Sequence, residues 1–274
     1  MDEGLLGKAR RIIRLAAFCL MYPVAKGLDA QGIPILVYHG IDSKGRTPYA
    51  ISPGKFMRQM QYLKMAGYST TKAKDILAFV EGTNRKGVSR EILLTFDDGY
   101  QDFIKWGLPV LRENGFSALV SVVTDCCDLA DLGRRCSQFD SAALSWNEVK
   151  KIRRAGVEIA SHGISHRRLT QISQEEKERE IKESKTRIEK KLDEPIDTFC
   201  YPFGAFNEDT VVMAKASGYR LGLTTEMGLV KKNDRAATLK RITIDDDLSL
   251  VEFKAMMTPA GEWYYRLRGL ILGE

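Results

Sequence analysis

Seven short runs of apolar and β-branched residues alternate with stretches of helical character, and this alternation limits the fold more than any other feature. The runs are continuously apolar, which is typical of strands buried on both faces of a mostly parallel sheet. The predicted strands are PILVYH (34–39), EILLTF (91–96), ALVSVVT (118–124), VEIAS (157–161), TFCY (198–201), LGLTT (221–225) and RITI (241–244).

Glycine marks the ends of four predicted helices. It precedes an apolar residue in KMAGY (64–68), RENGF (112–116), RRAGV (153–157) and AKASGY (214–219). Glycine readily adopts the left-handed conformation that ends a helix, and the next residue turns back towards the core. Helices are predicted at 53–66, 72–80, 101–114, 146–155, 174–192, 207–217 and 249–257. Alternation with about seven strands favours an α/β protein built as a distorted (β/α) barrel over an open doubly wound sheet.

The 274 residues suit one barrel-sized domain, because no linker-like stretch divides the chain. We therefore expect three parts. A basic and apolar segment covers residues 1–33, one domain covers 34–258, and a tail covers 259–274.

Both termini place basic residues beside apolar ones, which suits peripheral contact with an anionic membrane. The apolar stretch is too short, and too clearly interrupted by Pro23, to span a membrane with confidence. No small-residue cleavage site of a signal peptide follows it. A location at the cytoplasmic membrane is favoured, an exported form is the alternative, and a solvated helix with a frayed tail would explain the pattern equally well. The segments concerned are Lys8, Arg10, Arg11 and Arg14 before LAAFCLMYPVA (15–25), and WYYRLRGLILGE (263–274).

Charge and cysteine content exclude other classes. The formal charge of +6 comes with no nucleic-acid recognition motif, so nucleic acid is not an expected partner. The five cysteines form no zinc-binding pattern. Cys126 or Cys127 could pair with Cys136 within one polar loop, although free thiols are the expected state.

Chemically active side chains lie at the C-terminal ends of four predicted strands. His39 follows ILVY, the pair Asp97 and Asp98 follows ILLTF, His162 follows VEIAS, and Tyr201 closes TFCY. In (β/α) barrels and open α/β sheets the ligand site lies at the carboxyl ends of the strands. If these side chains served only to make the surface soluble, their placement at four strand ends would be a coincidence. The sequence therefore predicts an active site at this edge.

A metal site is the chemistry that these residue types suit best. His162, His166 and one carboxylate make a three-ligand set for Zn²⁺ or a related divalent ion, with one position left open. Adjacent carboxylates on an extended segment point in different directions. One of Asp97 and Asp98 can therefore bind the metal while the other takes a proton from the attacking water. Gly99 would let the backbone turn sharply beside them.

Three segments carry a resemblance to a known family. TFDDGY (95–100), SHGISH (161–166) and FCYPFGAFN (199–207) resemble, in the right order, the first three motifs of NodB-homology polysaccharide deacetylases, carbohydrate esterase family 4. PILVYHGI (34–41) resembles a subgroup that includes poly-N-acetylglucosamine deacetylases. The likeness covers roughly residues 34–245. It implies a distorted (β/α) barrel and a metal-dependent N-deacetylase that releases acetate from an N-acetylated glycan.

The resemblance also implies roles for individual residues. Asp97 would be the general base, while Asp98, His162 and His166 would hold the metal. Zn²⁺ is the first choice of metal, with Co²⁺, Ni²⁺ or Fe²⁺ as alternatives. The backbone N–H of Tyr201 would help to stabilise the oxyanion.

The sequence departs from the family at two points. Many members have arginine in the third motif, where Cys200 stands here, and many have a late histidine as general acid. No histidine follows His166. His39 is then the remaining histidine that could protonate the leaving amine. Arg241 could orient Asp97 in place of the missing arginine, or it could be an ordinary strand-end cation.

Two other functions remain open at this point. One is a catalytically inactive carbohydrate-binding pseudoenzyme, against which the intact Asp97 and the ligand set count. The other is a metal-dependent amidase or deformylase that acts on a small or lipid-linked sugar. Trp146 and Phe203 could line a sugar groove, although aromatic residues at such positions are more often core.

Overall fold

The computed structural model describes residues 3–25, 32–42, 49–83, 90–136 and 141–264, with side chains described from Ile13 onward. The end of the predicted tail, residues 265–274, lies outside the described residues. The side chains of Lys8, Arg10 and Arg11 also lie outside the described part of the chain.

Seven parallel strands close into a barrel, as the sequence predicted. They run in the order β1-β8-β7-β6-β5-β4-β3, and β1 also pairs with β3 to complete the ring. A two-residue strand, β2, pairs with β3 outside the ring and is too short to show a pattern in the sequence. The strands are β1 (Ile35–Tyr38), β2 (Ser69–Thr70), β3 (Glu91–Phe96), β4 (Leu119–Val122), β5 (Glu158–Ser161), β6 (Thr198–Cys200), β7 (Leu221–Met227) and β8 (Leu239–Thr243).

Helices surround the barrel, and all seven predicted helical segments are confirmed. Two of them contain a π-helical turn: Phe103–Gly107 leads into α4, and Arg179–Glu183 joins α7 to α8. The helices are α1 (Glu3–Ala25), α2 (Pro53–Met65), α3 (Ala73–Val80), α4 (Leu108–Asn114), α5 (Thr124–Asp131), α6 (Trp146–Arg154), α7 (Gln174–Glu178), α8 (Ser184–Leu192), α9 (Glu208–Ala216) and α10 (Leu250–Met256).

The prediction of a polar loop after β4 is wrong, because the helix α5 begins there. This helix has eight residues and begins directly after a β-branched run, so its sequence is too short to show helical periodicity. Its Cys126 forms a disulfide with Cys136, so the expectation of free thiols is wrong for this pair. The free cysteines among the described residues are Cys19, Cys127 and Cys200.

Alternate strand residues belong to two buried clusters, and this alternation positions the site. Leu93, Leu119 and Leu239 pack with one another inside the barrel, whereas their neighbours pack beneath the helices. Side chains along a strand alternate between its two faces. Thr95, Ser121 and Arg241 stand two residues beyond those leucines and therefore point into the barrel at its carboxyl end. A polar layer thus covers the apolar interior where the strands end.

The N-terminal helix α1 packs against α10. Arg14 Nε lies 2.7 Å from Glu252 Oε1, and the Phe18 and Tyr264 rings lie 4.7 Å apart. The exposed large apolar side chains of α1 are Ile13, Leu15, Leu20 and Val24. Within the described part of the chain, no helix combines the length and apolar character that crossing a membrane requires.

Candidate active site

Asp98, His162 and His166 come together where β3 and β5 end. Asp98 Oδ1 lies 3.4 Å from His162 Nε2 and 3.3 Å from His166 Nε2. Two of these residues have left-handed backbone conformations, with φ 72° at Asp98 and 52° at His166. Non-glycine residues pay a free-energy cost for such conformations, which concentrate at functional sites. The following Gly99 also has a positive φ, 65°, as the sharp turn predicted there requires.

The ligand atoms of these three side chains fit a divalent cation. His162 Nδ1 lies 2.8 Å from the carbonyl oxygen of Cys200, and because a carbonyl can only accept, the Nδ1 proton is fixed there. In the neutral ring Nε2 then carries a lone pair directed at Asp98 Oδ1. That oxygen is buried and accepts no hydrogen bond of ordinary geometry from the described residues. Lone pairs that converge in this way call for a positive ion between them, and two imidazoles with one carboxylate are a usual set for Zn²⁺.

The loop between the two histidines is held by Glu180, a residue that the sequence did not single out. Its carboxylate accepts hydrogen bonds from the N–H of Ile164 at 2.7 Å, the N–H of Ser165 at 3.0 Å and the Ser165 hydroxyl. Glu180 is buried and lies in the π-helical turn between α7 and α8. In the sequence it is one acid in a highly charged helix, so no pattern marks it.

Asp97 faces a different set of partners from those of Asp98. Its Oδ1 accepts from Ser121 Oγ at 2.8 Å and from Arg241 Nη1 at 2.9 Å, and its Oδ2 accepts from Arg241 Nη2 at 2.6 Å. Arg241 is fully buried and also donates to Thr95 Oγ1 and to the carbonyl of Thr224. The structure therefore excludes an ordinary strand-end cation at position 241.

Electrostatics keep both carboxylates ionised. Burial disfavours the charged form of Asp97, but the guanidinium of Arg241 outweighs it and holds the pKa of Asp97 well below its usual range. Burial also disfavours ionisation of Asp98, and the neighbouring histidines outweigh it, so its pKa is lowered too. Burial lowers the pKa of His166 to about 4, with His162 adding to the effect. A neutral His166 is the form that binds a metal.

His39 lies in the same polar layer, at the end of β1. Its ring is 5.1 Å from the ring of Tyr49, and its Nδ1 is buried without a hydrogen-bond partner among the described residues. Burial lowers the pKa of His39, although the charges of Asp98 and Asp97 oppose the shift. The structure thus brings His39 to the two aspartates.

Tyr201, whose backbone N–H was predicted to stabilise the oxyanion, lies at the end of β6. Its backbone N–H donates to the carbonyl of Leu223 at 3.0 Å, in continuation of the β6–β7 pairing. Its hydroxyl donates to the carbonyl of Ala237. The N–H is therefore engaged in the sheet and is not available to an oxyanion in this conformation.

The two aromatic residues considered for a sugar groove differ in position. Trp146 is 2% exposed, and its indole N–H donates to Asp128, so it belongs to the core. Phe203 is 50% exposed and packs 4.5 Å from the His166 ring, with the Arg168 guanidinium over its own ring. Phe203 therefore borders the candidate metal site.

Comparisons with known proteins point to one family. The family model described as polysaccharide deacetylase matches residues 84–222. Bacillus subtilis (strain 168) YxkH, a protein assigned to the polysaccharide deacetylases, is 27% identical over 223 residues, which are 81% of this chain and 75% of YxkH. The poly-β-1,6-N-acetyl-D-glucosamine N-deacetylase of Staphylococcus aureus (strain MSSA476) is 22% identical over 77% of this chain and 73% of its own length. The structure of the Streptococcus pyogenes deacetylase PplD in complex with acetate superposes with a TM-score of 0.71 at 26% identity, covering 80% of this chain and 94% of PplD.

Proposed function

Because this chain belongs to the polysaccharide deacetylase family, we propose that it hydrolyses the acetamide of N-acetylated amino sugars in a glycan, in a metal-dependent reaction that releases acetate. The observation that carries the proposal is the division of the aspartate pair. Asp98 lies beside the imidazole nitrogens of His162 and His166, and Asp97 forms an ion pair with Arg241. The likeness to a poly-N-acetylglucosamine deacetylase supports a polymer of N-acetylglucosamine as the substrate class.

Asp98, His162 and His166 would hold the metal, and Zn²⁺ suits this donor set best. When bound, the ion supplies a Lewis acid that lowers the pKa of water and stabilises negative charge on the acetamide oxygen. The hydrogen bonds that the intervening loop donates to Glu180 support the two histidines in the orientation that this requires.

Asp97 would act as the general base. Its carboxylate remains ionised at neutral pH, so it can accept a proton from the water that attacks the acetamide carbon. The hydrogen bonds from Arg241 and Ser121 hold it in one orientation, which lowers the entropic cost of reaching the reactive geometry.

His39 would act as the general acid that protonates the departing amine. It is the histidine at the aspartate pair that the metal set does not use. Burial lowers the pKa of His39, but the negative charges of Asp98 and Asp97 oppose the shift and would favour the protonated ring that gives its proton to the amine. The products are acetate and a free amino sugar, which is cationic at neutral pH.

Acetate release from N-acetylglucosamine oligomers tests the proposal, with Zn²⁺ and with chelator. The wild type should require the metal, and Asp97→Asn should lower kcat by roughly 10²–10⁴-fold because it removes the base but keeps the size of the side chain. Asp209→Asn, at an exposed aspartate on α9, is the matched control and should keep full activity. Full activity in Asp97→Asn would contradict the mechanism. Sugar binding without turnover would instead identify a pseudoenzyme.

A further inference from the structure

The helix α5 carries a disulfide that the mechanism above does not use. The bond joins Cys126 to Cys136, ten residues later. The loop after β3 bears Asp98, and the loop after β5 bears His162 and His166. Because β4 lies between β3 and β5 in the barrel and α5 follows β4, the helix starts between the two loops that carry the proposed metal ligands. The disulfide is therefore placed to affect the geometry of the metal site.

The first turn of α5 holds the loop that bears the two histidines. The N–H of Thr124 donates to the carbonyl of Gly163 at 3.2 Å. The N–H of Asp125 donates to the carbonyl of Ile164 at 3.0 Å. The first N–H groups of a helix have no partner within the helix, so the loop supplies acceptors for two of them. Both carbonyls belong to the segment that separates the two histidines, so a shift of the start of α5 changes the position of that segment.

The disulfide also packs beside the turn that bears the two aspartates. Tyr100 directly follows this turn and shares a small buried cluster with both cysteines and with Ala143. The backbones of Tyr100 and Ala143 pair in an isolated antiparallel bridge. The carbonyl of Gly99, within the turn, accepts a hydrogen bond from the N–H of Leu144 at 2.8 Å. The disulfide cluster thus contacts the aspartate turn, while the helix that carries one of its cysteines holds the histidine loop.

We propose that the disulfide between Cys126 and Cys136 fixes these two loops at the spacing that metal binding requires, so that its reduction weakens the binding of the divalent ion. The inference rests on the proposed function, because it assigns a control to the same metal site. Disulfides persist in oxidising compartments and are reduced by cytosolic thiols. The bond therefore ties metal binding to the redox state of the compartment in which the protein acts.

Reduction of this bond is an ordinary thiol–disulfide exchange with a dithiol. Cys136 is 5% exposed, but residues 131–135, which directly precede it, are all exposed, so local opening of this short segment exposes its sulfur. A thiolate of the dithiol attacks the Cys136 sulfur and forms a mixed disulfide, and Cys126 leaves as a thiolate that takes up a proton. The second thiol of the reductant then displaces Cys136. Two electrons and two protons pass to the protein, and the reductant becomes a disulfide.

The affinity for Zn²⁺, measured by competition with a chromophoric chelator, tests the inference. The wild type is reduced with dithiothreitol, which is then removed by gel filtration without oxygen. The thiol count of the denatured protein should rise from three to five. The reduced protein should bind Zn²⁺ about tenfold more weakly than the oxidised protein. Cys126→Ala/Cys136→Ala should show the same loss, and it excludes binding of Zn²⁺ by the released thiols.

Cys127→Ala is the matched control. Cys127 is buried in the same helix, but its thiol is free, so this variant keeps the disulfide and should keep the wild-type affinity. Equal affinity of the oxidised and the reduced protein would overturn the inference. A thiol count that dithiothreitol leaves at three would overturn it as well, because the bond would then not respond to a dithiol.

Hydrogen exchange in the metal-free protein, followed by NMR, separates failure of this inference from failure of the proposed function. The amides of Thr124 and Asp125 should exchange about tenfold faster in Cys126→Ala/Cys136→Ala than in the wild type. Exchange in α9 should stay unchanged, which a general loss of stability would not produce. If the wild type binds no Zn²⁺, the proposed function is wrong and this exchange alone decides the inference. Unchanged rates at these two amides would then overturn it.

Discussion

Arg241 and Asp97 form a fully buried, bidentate ion pair inside the barrel, with nitrogen–oxygen distances of 2.9 and 2.6 Å. The two residues are 144 positions apart in the sequence and lie on β8 and immediately after β3, strands that β1 separates in the ring. The planar guanidinium matches the two carboxylate oxygens at once, which a lysine cannot do. The pair therefore fixes both the charge and the orientation of the proposed base.

Removal of this guanidinium should shift the acidic limb of the activity profile to higher pH. In Arg241→Met the burial of Asp97 loses its strongest opposition, so the pKa of Asp97 rises and the carboxylate is lost at a higher pH. The profile of kcat/KM against pH measures this shift, and Arg241→Lys should show a smaller one. An unchanged acidic limb in Arg241→Met would mean that Asp97 is not the base.

The same pair should make stability depend on pH. The folded state lowers the pKa of Asp97, so the pair stabilises the protein above the unfolded pKa of about 4 and loses this effect as the pH falls further. At neutral pH, Arg241→Met should lower the free energy of unfolding by about 3–5 kcal/mol, because it leaves a buried charge unpaired. Chemical denaturation measures this change. Asp97→Asn/Arg241→Met should be more stable than Arg241→Met alone, since position 97 then carries no unpaired charge, and equal stability would contradict the argument.

His39 should matter only when the leaving group needs a proton. His39→Ala should lower kcat on the N-acetylated oligomer by roughly 10²–10⁴-fold. An aryl acetate releases a phenolate that departs without protonation, so on this substrate His39→Ala should stay close to the wild type while Asp97→Asn remains impaired. Steady-state kinetics on both substrates check the pattern. Equal losses on the amide and the aryl ester would assign His39 a different role.

Glu180 should control metal affinity rather than folding alone. Glu180→Gln weakens the hydrogen bonds to the loop between His162 and His166, and the affinity for Zn²⁺ should fall by about 10–100-fold. Competition with a chromophoric chelator measures the affinity, and the absorption spectrum of the Co²⁺-loaded protein reports the ligand geometry. Glu183→Gln is the control, because Glu183 lies in the same π-helical turn with its side chain half exposed. An unchanged affinity and spectrum in Glu180→Gln would leave Glu180 as a folding residue.

Peripheral contact with an anionic membrane stays a prediction, and α1 offers the surface to test it. Ile13, Leu20 and Val24 stand at intervals of seven and four residues, so they lie on one exposed face of the helix. The wild type should sediment with vesicles that contain anionic lipid, and replacement of these three residues by glutamine should reduce the bound fraction. Val212→Gln, an exposed apolar residue on α9, is the control. No binding by the wild type would reject the contact.

Local patterns were sufficient to predict the strands and the main helices. Continuous apolar runs such as those of β3 and β4 can be buried only in a parallel sheet covered on both faces, so their number indicated the barrel. The helix α5 escaped prediction because eight residues after a β-branched run show no clear period. The hydrogen bond of the Tyr201 N–H to Leu223 also escaped prediction, because a motif does not show which backbone N–H groups the sheet uses.

The sequence by itself determined the residue types of the site and their placement at strand ends. Asp98, His162 and His166 follow buried strands, and parallel strands bring their carboxyl ends to one edge whatever the details of packing. Only the tertiary structure decided the partners of Arg241 and Glu180. These contacts join segments far apart in the chain, and their distances depend on strand order, register and helix packing, which no local pattern encodes.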